Sequence, residues 1–449
     1  MDTTRISRIK ALAGAITILA CFSLRLAADN PPAPATDPFV KKGAAAAVET
    51  SGPQANLVLT YEFYQLPQTE GAELLQGIAT DQERYDRLRD FVKQGKARLE
   101  QLMCGAAGDG EQVLIQQSNQ FPYPIAYFFL GDGAAKTLGA ADFKRRNVGS
   151  RLVIKAQTIK GGKACDVAMF PEQTILRGFV DQTSFLGSTS FTAPQPVFET
   201  RRVNTKPPLL PFDQIRLIGT FNPPASDWGP KAKSQQPATV KDPDMGLFFA
   251  HASRMQYDPG AATDTKVAGI DLEMTVYSMD RDLALRILSQ PQRPGLAYEG
   301  VQTLLKANEA KLEHISVIRS QVGLKSNCSE LVEDVYPSGG PDQWITQDVG
   351  FNAELRPDLI GNGSTVSLDV TQFQFLNDLG PFQGAGLAGN LVATQPIFGL
   401  QSITTKIFAG IGEHALLGTI SPASDTGING IKDDGRAWLA FVRPTLVNP

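Results

Sequence analysis

The chain has 449 residues, 42% hydrophobic and 20% charged, which is enough for two or three domains with ordinary buried cores. A net charge of -4 and a pI near 5.6 exclude the basic surface that nucleic-acid binding requires. The 41 glycines and 30 prolines favour many short strands joined by turns over a helical bundle.

Residues 1–28 have the order and length of a Sec-type signal peptide. Three basic residues precede the uncharged apolar run 11–22, and alanines at 27–28 offer a cleavage site. Two alternatives stay open: an uncleaved membrane anchor, for which the run is short, and a lipoprotein signal that would anchor the chain at Cys21. We therefore predict an exported protein of the periplasm or outer membrane, with the Pro- and Ala-rich residues 29–55 as a flexible linker.

Three cysteines remain after export: Cys104, Cys165 and Cys328. An odd number cannot all pair within one chain, and none of the three lies in a C-x-x-C or a His/Cys metal cluster. A single disulfide is open in an oxidising compartment, although nothing in the sequence selects the pair. Buried free thiols are the simpler interpretation.

Two long stretches of the chain resemble each other in the same order. The clearest match aligns residues 195–206 with 395–406, QPVFETRRVNTK with QPIFGLQSITTK, at an offset of 200 (395 − 195). Three more matches keep this order: ARLE at 97–100 with AKLE at 310–313, NVG at 147–149 with DVG at 348–350, and GTFNP at 219–223 with GTISP at 418–422. We therefore predict two tandem homologous units, residues 56–256 and 268–449.

Each unit has the same predicted order, beginning with an alternating strand at 57–64 or 272–279. A helical region follows in each, indicated by apolar residues at helical spacing. These are Tyr85, Leu88, Phe91, Val92, Leu99 and Leu102 in the first unit and Val301, Leu304, Leu305, Leu312 and Ile315 in the second.

Antiparallel strands with one buried and one wetter face come next. In the second unit, apolar residues alternate through 351–355, 366–370 and 403–411, and glycines at 361–363 and 412 mark tight turns. The predicted fold class is α+β, mostly β, with two tandem homologous units, each an antiparallel β-sheet domain with an associated helical segment.

The units differ in insertions, where function tends to concentrate. The first carries a polar loop at 226–244 and an aromatic stretch at 121–130, which predicts either a binding surface or a buried strand. The second carries the apolar, Gly-rich stretch 380–394, which would either contact a membrane or subunit or form an ordinary loop.

The second unit also contains an ordered series of short motifs. Val349-Gly350 stands before a strand, the turn at 361–363 follows, and a Pro-containing segment at 395–398 leads to a strand ending in Thr405. A predicted hairpin then closes at 416–418. In this series the unit resembles the C-terminal β-domain of bacterial secretins, the outer-membrane channel proteins of type II and type III secretion systems.

This resemblance covers roughly 130 residues of the second unit. The sequence departs from the family pattern at the closing glycines, where Thr419 follows Gly418 in place of a second glycine. The resemblance implies a twisted antiparallel sheet, an envelope location and assembly of many subunits into one closed barrel, in which no strand edge faces lipid.

Residues that could carry chemistry form no convincing constellation. His251, His314 and His414 have no spacing suited to a metal, and the Asp-Thr-Gly triplet at 425–427 reads as a turn, because proteases need two such carboxylates. The incomplete phosphate loop at 131–137 lacks the glycine before its lysine. A calcium set of Asp425, Asn429, Asp433 and Asp434 does not have EF-hand spacing. We predict no catalytic, cofactor-binding or metal site.

The leading hypothesis is a non-catalytic, secretin-like envelope protein that is part of, or derived from, an outer-membrane protein secretion system. Its β-units would pair with protein partners or with other copies, through the predicted hairpin 403–420 and the loop 380–394. The alternative is a periplasmic or surface binding or structural module that kept the secretin fold without forming a pore. Neither hypothesis requires nucleic acid or a small-molecule cofactor.

Overall fold

The computed structural model describes residues 54–76, 78, 80–130, 137–186, 189–203, 205, 209–221, 244–257, 269–337, 344–361, 363–382, 395–423, 426, 428, 431 and 433–447. Several sequence predictions therefore lie outside the described residues. They are the signal peptide with Cys21, nearly all of the linker, the loop 226–243, the stretch 383–394, and the segments 131–136 and 425 with 427.

The first half of the described chain runs from a strand through two helices into further strands. Its elements are β1 (Gln54–Pro67), α1 (Gln68–Gln76), α2 (Asp81–Lys93), β2 (Arg98–Gly108), β3 (Gln112–Leu130), β4 (Thr137–Thr158), β5 (Ala164–Leu186), β6 (Thr189–Arg202), β7 (Leu210–Pro211), β8 (Ile215–Phe221) and β9 (Asp244–Tyr257).

The second half repeats this order of strand, two helices and strands. Its elements are β10 (Gly269–Asp280), α3 (Arg281–Leu288), α4 (Leu296–Lys306), β11 (Ala310–Ser320), β12 (Ser326–Pro337), β13 (Trp344–Ile360), β14 (Thr365–Phe382), β15 (Gln395–Gly410), β16 (Ala415–Thr419) and β17 (Arg436–Val447). The fold class is α+β and mostly β, as the sequence predicts.

Both sheets are antiparallel and both are shared between the two halves. Sheet A has the order β11-β10-β17-β16-β2-β1-β9-β8, and sheet B the order β12-β13-β14-β15-β3-β4-β5-β6, with the short β7 beside β5. Four strands of the second half precede four strands of the first half in each order. The halves therefore meet twice, where β16 pairs with β2 and where β15 pairs with β3.

One hydrophobic core joins the helices and both sheets. The first eleven residues of β1 are all buried, so this strand has no wetter face and the predicted alternation is wrong there. The reason is that helix α2 covers one face of sheet A, where Tyr85 contacts Tyr64 and Phe249, while sheet B lies against the other face. A strand buried on both faces carries an almost continuous apolar run.

The predicted helices end earlier than their apolar spacing suggests. Helix α2 stops at Lys93 because Gly95 adopts a left-handed φ of 71°, and α4 stops at Lys306 before Asn308 at 59°. Leu99 and Leu102 therefore lie on β2, and Leu312 and Ile315 on β11, together with His314.

The predicted hairpin 403–420 is also wrong. Its strands β15 and β16 are joined by the expected turn at 412–413, but they belong to different sheets. The turn is a corner between the layers, and both strands pair with strands of the same chain, in the middle of their sheets. The turn at 361–363, in contrast, joins the paired strands β13 and β14 as predicted.

The three described cysteines are free thiols and the aromatic stretch is a strand, which is one of the two predicted alternatives in each case. Cys104 and Cys165 are buried free thiols, and Cys328 is a free, partly buried one. The aromatic stretch forms the end of β3, where Phe121 is buried.

No helix among the described residues is long and apolar enough to cross a bilayer.

Candidate edge-strand interface

One row of residues crosses sheet B at a single level and repeats after four strands. Neighbouring members lie opposite each other on adjacent strands, in the order Leu331, Gly350, Leu376, Leu400, Ser118, Gly149, Thr174 and Thr200. The two glycines have nearly the same positive φ, 132° and 133°. The row makes β12 the counterpart of β3 at an offset of 213 (331 − 118), and β15 the counterpart of β6 at 200 (400 − 200).

Sheet A contains a matching pair of rows. In the second half, Gly418 of β16 starts the row Gly418, Ala440, Val276 and His314. In the first half, Gly219 of β8 starts the row Gly219, Phe248, Phe63 and Gln101. Both glycines follow a bulge in their strand. The rows make β2 the counterpart of β11, again at an offset of 213 (314 − 101).

The strands β11 and β12 leave apolar residues exposed at positions whose counterparts are buried. Val317 is 58% exposed and Val332 is 70% exposed, whereas Cys104 and Asn119, 213 residues earlier, are 0% and 2% exposed. Further exposed apolar residues on these strands are Leu312, Ile315, Leu331 and Val335. The edge formed by β11 and β12 therefore exposes a surface that is equivalent to the one on β2 and β3. In the middle of the sheets, β16 and β15 cover that equivalent surface.

The opposite end presents the complementary surface. Thr419 of β16 is fully buried against β2, whereas its counterpart Thr220 of β8 is exposed. Ile403 of β15 is likewise buried, whereas Val203, just after β6, is only partly buried. Within the described residues, β8 and β6 each pair on one side only, which leaves backbone groups free to extend both sheets.

Buried polar groups stabilise the junction between the two halves, where β15 meets β3 and β16 meets β2. The Thr419 hydroxyl accepts a hydrogen bond from the backbone N–H of Cys104 at 2.9 Å, and the Thr405 hydroxyl donates to the Ala106 carbonyl. The Asn56 amide donates to the Phe408 carbonyl at 2.7 Å and accepts from its N–H at 2.8 Å. Because these groups are buried, each bond contributes only when the strands are in one register.

The two open edges of sheet B differ in charge. β12 carries three carboxylates and no basic residue. At the other end, Arg201 and Arg177 both contact Glu199, so this group carries one net positive charge. Burial alone would raise the pKa of Glu199, but hydrogen bonds from the two guanidinium groups outweigh it and leave the pKa below its usual value. The open edges of sheet B are therefore electrostatically complementary.

The three histidines lie apart on β9, β11 and the turn before β16. His314 packs on Phe351 with ring centroids 4.0 Å apart, and His414 stacks on Tyr298 at 3.5 Å. Burial is the main cause that lowers the pKa of all three. Each is therefore a neutral ring packed in the fold at pH 7, and the absence of a catalytic role stays a prediction.

The remaining chemistry candidates have structural partners where they are described. Asp433 pairs with Arg281 at 2.7 Å, and Arg281 also donates to the Leu99 carbonyl. Across the described part of the chain, no three potential ligands come together to hold a metal. A cavity between the sheets, near Arg201, has a volume of about 10 Å³, which is room for a single water.

Sequence reasoning missed one buried polar cluster at Glu62. This carboxylate accepts hydrogen bonds from the hydroxyls of Tyr64 and Tyr85, and Arg89 links Tyr64 to Asp282 of helix α3. Burial raises the pKa of Glu62 to about 7. The available signal was a single acidic residue inside the apolar run of β1.

No family model and no curated protein matches the chain. Similar solved structures include the type II secretion system secretin GspD of E. coli K12, at 11% identity over 40% of this chain and 48% of that one, with a TM-score of 0.21. Aeromonas hydrophila ExeD is 13% identical over 40% and 46%, with a TM-score of 0.21. The V. cholerae type IV competence pilus secretin PilQ is 8% identical over 88% and 61%, with a TM-score of 0.22.

The chain spans about half the length of the first two of these structures. At TM-scores of 0.22 or less, the pairing of the chain's own strands is the better basis for a functional proposal.

Proposed function

We propose that this chain is a non-catalytic, exported structural protein whose copies join through the open edges of their two sheets. The single observation that carries the proposal is the repeated strand order, in which β15 and β16 dock on β3 and β2 and, among the described strands, leave matching unpaired edges at both ends. An interface that repeats head to tail produces a closed ring if its rotation closes, and a filament if it does not.

The proposal includes a duplication of one unit, residues 56–256 and 268–449. Sequence matches and strand registers agree on the same offsets, 213 for β2 with β11 and 200 for β6 with β15. A chain with two such units supplies one junction internally and offers half of another at each end.

The cellular setting rests on the sequence. The signal-peptide pattern supports export, and the motif series from Val349 to Gly418 supports a place in, or descent from, an outer-membrane secretion assembly. Assembly by strand edges suits that setting, because a closed sheet leaves no unpaired backbone group.

Light scattering of the purified mature protein during size-exclusion chromatography tests the proposal. We expect particles of many copies, which Leu331→Lys converts to monomers. Leu331 is 42% exposed, so the fold tolerates lysine, but docking would bury the new charge opposite the uncharged Thr200, as its counterpart Ser118 is buried. Ile125→Lys is the matched control, because it also replaces an exposed apolar residue, but on an internal strand of sheet B.

A wild-type protein that stays monomeric at every concentration would refute the proposal. Liposome flotation then decides what remains. A monomer that does not float with the vesicles supports the binding or structural module without a pore.

A further inference from the structure

The register of the junction between β15 and β3 predicts how two copies would meet. In that junction Leu400 faces Ser118, Gln401 faces Gln117 and Ile403 faces Ile115. Their counterparts at the open ends follow from the offsets of 200 and 213 established by the strand rows. Thr200 would face Leu331 of the next copy, Arg201 would face Glu330, and Val203 would face Cys328.

The facing residues lie on the correct side of the sheet for this contact. Val203 and Cys328 each pack against the core between the sheets, and Arg201 and Glu330 lie two residues away on the same face of their strands. Their counterparts Gln401 and Gln117 are 2% and 1% exposed. Docking would therefore bury both charged groups opposite each other.

The charges match at this position. Arg201 belongs to the group with one net positive charge, and it also lies over the Phe221 ring at 4.6 Å. Glu330 is an exposed carboxylate of the acidic strand β12. A buried charge is costly unless it is paired, so a copy shifted by two residues along the edge would leave Glu330 opposite the apolar Val203 or opposite the like-charged Glu199.

We propose that the partner of each open edge is a second copy of this chain, docked with β6 against β12 in one register that pairs Arg201 with Glu330 and Val203 with Cys328. This inference rests on the proposed function and adds its partner and register. The internal junction serves as the template for the junction between copies, and the ion pair selects the register.

The native thiol of Cys328 makes the register measurable with one substitution. Directly opposed residues of antiparallel strands have Cα atoms about 4.5–5.5 Å apart, within the range that a disulfide spans. We expect Val203→Cys to form intermolecular disulfides with Cys328 under mild oxidation, visible as dimers and higher species on non-reducing gels. Adding Cys328→Ser should abolish them. Thr205→Cys, two residues further along the same edge, is the matched control and should not cross-link.

The outcomes separate the two proposals. Assemblies in which Thr205→Cys cross-links and Val203→Cys does not, or in which neither does, overturn the register while leaving edge assembly intact. A monomeric wild-type protein overturns both.

A charge exchange tests the ion pair independently. Glu330→Arg and Arg201→Glu each place like charges opposite one another, so each variant alone should dissociate. An equal mixture should assemble again, because the altered edge of each variant meets the altered edge of the other and the native edges still match. Failure of a mixture of two folded variants to assemble would remove Arg201 and Glu330 from the proposed contact.

Discussion

Replacing Glu62 by glutamine should change how the stability of the protein depends on pH. The pKa of Glu62 is about 7 in the fold, against 4.5 for an ordinary glutamate, because burial disfavours its charged form. A carboxyl whose pKa is raised in the fold contributes its stability fully below pH 4.5 and loses it as the pH rises through 7. Each pKa difference of one corresponds to about 1.4 kcal/mol, so the loss is about 3 kcal/mol.

Urea unfolding at about pH 5 and about pH 8, followed by fluorescence, measures this loss. We expect the wild type to lose about 2.5 kcal/mol more than Glu62→Gln between these two conditions, because part of the loss has already occurred at about pH 5. Glu309→Gln, at an exposed position, is the control and should follow the wild type. Equal losses in wild type and Glu62→Gln would show that Glu62 is already ionised at pH 5 in the fold, and would refute the reasoning.

Three further predictions concern the junction and its open edge. Gly149→Ala should lower the free energy of unfolding in urea more than Gly178→Ala does. The backbone φ is positive at both glycines, but only at Gly149 would an added Cβ meet neighbouring backbone, at 2.4 Å. Equal losses of unfolding free energy in the two variants would contradict this. Asn56→Ala should cost about 1–3 kcal/mol of unfolding free energy, because the partly buried N–H and carbonyl of Phe408 lose the buried Asn56 side chain as their partner. A cost under about 0.5 kcal/mol would contradict this. In the native protein, peptide mapping after alkylation should show that Cys328 is modified well before the two buried thiols. Assembly should slow the alkylation of Cys328. Equal alkylation rates for all three thiols would contradict this.

Local sequence patterns predicted the elements of this fold well. Alternation through 351–355 and 366–370 identified β13 and β14, because period-two spacing is a property of the strand itself. The match between 147–149 and 348–350 pointed to Gly149 and Gly350, which share the same positive φ. Leu99 and Leu102 were misassigned because their spacing from Phe91 continues a helical pattern across the turn at Gly95.

The pairing of distant strands could not be predicted in the same way. Residues 403–420 have a hairpin pattern, and nothing local tells that β15 and β16 enter different sheets. The edge surface was missed for a related reason. Val332 and Asn119 occupy equivalent positions, and only the sheet order reveals that one is exposed and the other covered.

The docking of β15 on β3 has a consequence for how the chain acquires its structure. Leu400 and Ser118, which face each other, are 282 residues apart (400 − 118), so we expect this contact, which closes a long loop, to form late in folding. Until the last strands arrive, β2 and β3 are uncovered and can accept the same strands from a neighbouring polypeptide. We expect refolding at high concentration to produce dimers in which β15 and β16 are exchanged between chains. Dilution should favour docking of these strands within one chain.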